Sequence, residues 1–390
     1  MKMKVAGRCY QLIGILLFMA ITSSYAKTAK QNFSILLPDN IHGVVGIEMN
    51  VYFDNLVYGD ACNYEIDVTC PKGMQLADRW TFTPTEADVN EFMFLVTFKD
   101  FRTSIVKRSK SKIIITPKSA GAGKKISLLI IGDSLTANGV YPDHLYELCQ
   151  SPTEPNLVFI GNKKSTVFPQ SVRFEGYGGW TVERFAEKYY EAPAPGSGSN
   201  YRSPFIFKNP DGRTALDFKR YCLENNNGNE IDIVLIFLGC NDVFLADESN
   251  IKQQIDSMLS YYEKLLTMVH QYSPKTKMGL LMPIPPAYSQ DAFGYIDQCS
   301  QTRLQYKRNQ SRLVQRMLRQ YERRQDENIF IVETHLNIDV QRSFPEVQVP
   351  VHSNTKEMVW QQANSVHPNK TGYCQIGDTV YSWIKSVVLK

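Results

Sequence analysis

Two apolar runs limit what most of this chain can fold into. Residues 126–131 read ISLLII and residues 233–238 read IVLIFL, and each leads into a tight turn, GDS and GCND. A strand with one face in water alternates apolar and polar residues. Runs this continuous belong to strands buried on both faces, as in a parallel sheet covered by helices. The segments TKMGLLMPIPP and NIFIVETH supply a third and a fourth such strand. Between them, IKQQIDSMLSYYEKLLTMVHQY and TRLQYKRNQSRLVQRMLRQYERR carry apolar residues at helical spacing, and VYSWIKSVVL supplies a closing helix. The alternation predicts a three-layer α/β/α domain over residues 121–390, with a parallel central sheet.

Upstream the pattern is different. Between about 32 and 116, short runs rich in β-branched and aromatic residues alternate with turn signals, among them YEIDVTC, RWTFTP and EFMFLVTFKD. At least five strands and a small β-sandwich over residues 27–120 follow, with Trp80, Phe82, Phe92, Phe94 and Phe98 as core candidates. The polar, glycine-rich KSAGAGKK at 118–125 forms the seam. A second irregular stretch, 187–230, is punctuated by APAPGSGSN, NPDG and NNNGN and reads as an excursion over the ligand-binding edge.

The first 26 residues read as a signal peptide. Lys2, Lys4 and Arg8 precede the apolar run LIGILLFMAI, and Ser24–Ala26 fits a small-x-small cleavage site. The run is shorter than the roughly 20 residues a helical span needs, so export to the periplasm or beyond is expected, without a stable membrane span. Removing the segment lowers the formal net charge from +4 to +1, which excludes a global attraction to nucleic acid. The basic stretch KRSKSK at 107–112 reads as a solvated hairpin. Seven cysteines remain after cleavage, an odd number, and Cys62 and Cys70 are placed to join across one β-unit. No cysteine or histidine spacing forms a metal site, and His335 with Asp339 falls short of a ligand set.

Ligands of open α/β sheets bind outside the carboxyl ends of the strands. Ser134 follows the first apolar run there, and Asn241 with Asp242 follows the second. A serine at such a turn can act as a nucleophile assisted by a histidine, or simply cap a helix. IGDSLT at 131–136, GYGGWT at 176–181, GCND at 239–242 and VHP at 366–368 stand in the order and rough spacing of four sequence blocks. Together they resemble the SGNH, or GDSL-type, serine hydrolases over about 126–388; the N-terminal β-unit lies outside the resemblance.

The resemblance implies Ser134 as nucleophile and His367 as general base. The backbone N–H groups of Ser134 and Gly179 and the side-chain amide of Asn241 are implied as oxyanion donors. No cofactor or metal is implied. Asp133 and Asp242 read as turn and packing residues, and His144, His335 and His352 as packing or surface residues. Trp180, beside the oxyanion glycine, reads as a substrate contact.

One departure is informative. The family's last block is Asp-x-x-His, whereas position 364 is asparagine. An amide oxygen can accept an imidazole N–H but brings no full negative charge to an imidazolium. Three readings stay open: a Ser–His dyad oriented by Asn364 or a backbone carbonyl, a carboxylate from Glu333 or Asp339, or a decayed site in a glycan-binding protein. For the active readings, the leading substrate is a short acyl ester, O-acetyl on carbohydrate, with a lipase or lysophospholipase activity as the alternative. Oligomeric state is not legible.

Overall fold

The computed structural model describes residues 33–191 and 202–389. The expected signal peptide and part of the irregular 187–230 stretch lie outside these residues. The N-terminal strands are β1 (Asn40–Val44), β2 (Met49–Tyr52), β3 (Tyr64–Thr69), β4 (Met74–Gln75), β5 (Arg79–Phe82), β6 (Glu91–Asp100) and β7 (Val106–Thr116). They form one sheet in the order β1-β7-β6-β3 and another in the order β2-β5-β4. The two sheets are packed through aromatic residues: Trp80 of β5 meets Phe94 of β6 edge-on with ring centroids 5.2 Å apart. Trp80, Phe94 and Phe98 are buried, while Phe82 and Phe92 are half-buried at the margin. The basic stretch 107–112 lies in the β6–β7 hairpin, where Arg108, Lys110 and Lys112 alternate outward. All seven cysteines of the described residues are unpaired, Cys62 and Cys70 included, so the expected bridge is not formed.

The second part carries β8 (Lys125–Gly132), β9 (Asn156–Ile160), β10 (Lys163–Lys164), β11 (Arg173–Gly176), β12 (Ile206–Lys208), β13 (Thr214–Leu216), β14 (Ile233–Phe237), β15 (Lys277–Leu281) and β16 (Ile329–Val332). β8, β14, β15 and β16 are parallel neighbours in that order, and they are the four strands predicted from the apolar runs. β14 is buried along its whole length, as its sequence requires.

The other side of β8 is shared. Lys125–Leu129 pairs with β9, and Ile131–Gly132 pairs with β11. This division places the chain leaving β11, Tyr177–Trp180, beside the turn leaving β8, and Tyr177 N donates to Gly132 O at 3.0 Å. Two groups of helices flank the sheet. Val140–Leu148 packs with the closing helix, which runs from Lys370 to Leu389 and is longer than its apolar stretch alone suggested. Val182–Glu187 and Arg303–Tyr321 pack with Ile251–Tyr272.

The two parts interlock. Leu36 and Val44 belong to the core of the α/β part, whereas Leu336 belongs to the β-unit core. Tyr52 N donates to Leu336 O at 3.1 Å, and Asn55 Nδ2 donates to Ile338 O at 2.8 Å. The 202–230 part of the irregular stretch packs laterally: Phe205 contacts Phe185, and Phe218 contacts Tyr272. Tyr272 ends its helix, and none of the described residues of this stretch hydrogen-bonds Ser134 or His367. Among the described residues its aromatic side chains pack on the flank of the helical layer; the rest of the stretch expected over the ligand-binding edge, 192–201, lies outside the described residues.

Candidate active site

Asp133 ends the β8 turn as the N-cap of a short helix, Ser134–Ala137, and its carboxylate accepts Leu135 N at 2.9 Å. The cap fixes Ser134 as the first residue of the helix, half-buried, with its hydroxyl 2.8 Å from His367 Nε2.

The other ring nitrogen settles the tautomer. Asn364 accepts Val366 N at 3.1 Å and His367 N at 2.8 Å through its side chain. Backbone N–H groups donate only, so the atom facing them is the amide oxygen rather than the nitrogen. The same oxygen lies 3.3 Å from His367 Nδ1. Nδ1 therefore carries the proton and Nε2 presents its lone pair to the Ser134 O–H. Burial holds the His367 pKa below its ordinary 6.5, which keeps the ring neutral near pH 7.

Neither alternative carboxylate reaches this ring. Glu333, at the end of β16, faces His42 of β1, with its oxygens 3.1 and 3.2 Å from His42 Nδ1. Asp339 binds Arg342 Nη1 at 3.0 Å and accepts Gln341 N and Arg342 N. Both are held by the seam with the β-unit, and among the described residues no carboxylate forms an ion pair with His367.

The turn after β14 brings in Asn241. Gly239 makes that turn possible: its φ is +119°, and a Cβ there would stand 2.8 Å from Leu313 Cδ2. Asn241 Nδ2 donates to Trp180 O at 3.0 Å and to Asp133 Oδ2 at 3.2 Å. The amide thus lies between the residue after Gly179 and the residue before Ser134. Gly179 is exposed and has φ +72°, with open space where a Cβ would be. Its requirement for glycine is conformational.

Trp180 does not line a substrate surface. Only 2% of it is exposed. Its ring stacks on Tyr177 at 4.4 Å and meets Phe185 edge-on at 4.9 Å. The indole is too large and apolar to leave this cluster, so it supports the loop carrying Gly179 from below.

Two acids brace the same loop, half-buried Asp242 and buried Glu175. Asp242 accepts Val182 N at 3.1 Å, tying the helix after the loop to the turn after β14. Desolvation pushes the Asp133 and Asp242 carboxyls up to about 7. Glu175 of β11 accepts Asn162 N, Tyr177 O–H and Tyr221 O–H, each at 2.8 Å. Glu175 carries no motif that would single it out in sequence. Of the other histidines, His335 is buried with Nε2 3.0 Å from Leu36 O. His144 pairs with Asp378 at 2.8 Å, and His352 is exposed.

Chemically, the arrangement offers a hydroxyl backed by a neutral imidazole at the carboxyl ends of β8, β11 and β14, with amide donors beside it. The family model of the GDSL-like lipases and acylhydrolases matches residues 128–380. No curated protein matches the chain. Among solved structures it is similar to a carbohydrate esterase family 3 protein from Talaromyces cellulolyticus, with 16% identity, 67% of this chain and 98% of that one covered, and a TM-score of 0.36. A carbohydrate acetylesterase family member from Sinorhizobium meliloti has 13% identity, coverage of 68% and 99%, and a TM-score of 0.40. A "possible lipase" from Chitinophaga pinensis DSM 2588 has 15% identity, coverage of 68% and 100%, and a TM-score of 0.37. By the family match, which spans the four sequence blocks, this chain belongs to the GDSL-like lipase/acylhydrolase family and is a hydrolase of the carboxylic ester type.

Proposed function

We propose that the protein hydrolyses short-chain acyl esters, foremost O-acetyl groups on carbohydrate, with Ser134 as nucleophile and His367 as general base. The observation that carries the reading is the continuous relay from the Ser134 hydroxyl through His367 to the Asn364 amide oxygen. As Ser134 Oγ bonds to the acyl carbon, its proton passes to Nε2 and the carbonyl oxygen becomes an oxyanion. The N–H groups of Ser134 and Gly179 stabilise that charge, joined by Asn241 Nδ2 as it exchanges its 3.2 Å bond to Asp133 Oδ2 for one to the oxyanion, and one such donor contributes about 3 kcal/mol. The C–O bond to the alcohol then breaks, and Nε2–H protonates the departing oxygen. Water repeats the sequence on the acyl-serine, with His367 again taking the proton, and releases the carboxylate.

A polar, open rim supports a carbohydrate over a long acyl chain: Asn138, Gly178, Gly179 and Arg184 are all exposed around the serine turn and the glycine loop. The deciding comparison is wild type against Ser134→Ala on 4-nitrophenyl esters of increasing acyl length. Turnover of the acetate ester by wild type, lost in the variant, is expected; no turnover of any ester by wild type would overturn the reading. Acetate release from an acetylated polysaccharide, without lysophospholipid turnover, separates the carbohydrate substrate from the lipase alternative. Export belongs to the same proposal and rests on residues 1–26. Expression in a host with a secretory pathway should yield a mature N-terminus at Lys27, and an uncleaved Met1 would defeat it.

A further inference from the structure

Immediately before the His367 loop the chain forms a two-stranded ribbon, β17 (Glu346–Pro350) paired antiparallel with β18 (Met358–Gln362). Such a ribbon is marginal alone, and this one is anchored at its root. Gln362 donates to Val340 O and Gln341 O at 2.9 and 3.0 Å and accepts Ser289 N at 2.8 Å. Directly paired residues share a face, so Gln362 and Glu346 lie on the same face as the Trp360–Gln348 and Met358–Pro350 pairs. From the root outward that face turns apolar while staying in solvent. Trp360 is 64% exposed and Met358 47% exposed.

The other three tryptophans, Trp80, Trp180 and Trp383, are all buried. Large apolar groups left exposed on an ordered element mark interaction surfaces. We propose that Trp360 is a stacking platform for a pyranose ring of the glycan whose ester is cleaved at Ser134, an inference that rests on the carbohydrate reading above.

Three observations select this occupant. First, the indole has the Gln348 amide directly across the ribbon, on the same face. A flat apolar surface beside amide donors and acceptors matches the C–H face and peripheral hydroxyls of a sugar. Second, the ribbon is nearly uncharged: Glu346, Glu357 and Lys356 are its only acidic and basic residues besides His352. It lacks the basic cluster that draws a segment to an anionic membrane.

Third, the platform is continuous with the site. β18 passes without an intervening element into Ala363–His367, Ala363 N donates to Pro345 O at 2.8 Å, and Ala287 N donates to Ser365 O at 3.1 Å. Trp360 and His367 are seven positions apart in the sequence, so the two are at most roughly 25 Å apart along the chain. That span suits a substrate longer than one sugar.

The experiment compares wild type, Trp360→Ala and Trp360→Phe on 4-nitrophenyl acetate and on chemically O-acetylated cello-oligosaccharides of two to six units. Trp360→Ala is expected to leave the aryl acetate kinetics within twofold and raise KM for the hexamer roughly tenfold at unchanged kcat. Trp360→Phe should recover most of that loss. In the Ser134→Ala background, the hexamer should also shield tryptophan fluorescence from acrylamide, because Trp360 is the exposed indole.

Equal losses on both substrates would assign Trp360 a structural role, and an unchanged hexamer KM would remove the platform; either overturns the proposal and leaves the esterase standing. Hydrolysis of the aryl ester with none of the oligosaccharides would overturn the sugar occupant. Shielding by phosphatidylcholine vesicles or by self-association, in place of the hexamer, would do the same. Failure of wild type on 4-nitrophenyl acetate would instead strike the underlying ester hydrolase reading.

Discussion

His42 and His367 are each held from behind by a side-chain oxygen, and they differ in what stands in front. His42 has the buried carboxylate of Glu333 at 3.1 Å and 3.2 Å, on the seam between β1 and the end of β16. His367 has only an amide oxygen at 3.3 Å, yet its other nitrogen is 2.8 Å from a serine hydroxyl. The pair richer in charge is the one without a nucleophile. A histidine–carboxylate contact by itself therefore says little about catalysis; the strand end it occupies says more. Glu333 terminates the edge strand and turns into the β-unit, whereas Ser134, Gly179 and Asn241 follow β8, β11 and β14.

The largest test of this contrast replaces each histidine in turn. His367→Ala should lower kcat on a short activated ester roughly ten-thousandfold or more, as loss of a general base does in serine hydrolases. His42→Ala should leave kcat within about twofold while destabilising the fold by about 1–3 kcal/mol, because buried Glu333 loses its side-chain partner. Steady-state kinetics and urea unfolding of both variants check the pair. A comparable loss of kcat in His42→Ala would break the comparison.

Next in size is Asn241→Ala. It removes one proposed oxyanion donor and should cost roughly a hundredfold to a thousandfold in kcat with little change in KM. A rise in KM at constant kcat would instead make Asn241 a ground-state binding group. Smaller still is Glu333→Gln. The amide keeps one acceptor for His42 but loses the charge, so the expected cost is about 1–2 kcal/mol of stability with kcat unchanged. Urea midpoints at matched slope measure it.

What the sequence revealed and what it hid divide along physical lines. β8, β14, β15 and β16 were legible because strands buried on both faces need uninterrupted apolar runs. The helix Ile251–Tyr272 was legible to its ends because its apolar spacing stops where the helix stops. β11, RFEG, carries no apolar run at all, whereas β9 was passed over although its LVFI is as long as the IFIV of β16. The β17 strand of the ribbon did carry alternation, in EVQVP, but without a buried face to weight it, and MVWQQ of β18 does not alternate.

At the site, the four motif blocks pointed to Ser134, Gly179, Asn241 and His367, and the fold brings these together. Trp180 was misread because a tryptophan beside an exposed glycine can point either way, and its inward turn depends on Tyr177 and Phe185 in three dimensions. Glu333 and Asp339 were plausible partners by chain position alone. Only the docking of the β-unit, which no local pattern encodes, directs them away.

The smallest and most discriminating prediction concerns the amide behind His367. Asn364→Ala should lower kcat only about fivefold to tenfold, the worth of one neutral hydrogen bond of about 1 kcal/mol. Asn364→Asp should act in the opposite direction and also move the pH profile. In the wild type, burial lowers the His367 pKa below 6.5 with no carboxylate opposing it. A base works deprotonated, so activity should be retained on descent to that ordinary value and lost only at lower pH. A carboxylate at 364 favours the imidazolium, which raises the pKa and shifts the acid limb toward neutrality.

The same charge stabilises the imidazolium formed during attack, so plateau kcat should rise a fewfold. Asp133 and Asp242, pushed up to about 7, titrate close by. The limb is therefore assigned by its displacement in the variant rather than by its position in wild type. An acid limb of kcat/KM that stays fixed in Asn364→Asp would show that the oxygen at 364 does not govern Nδ1, and that the amide serves only the turn at Val366 and His367.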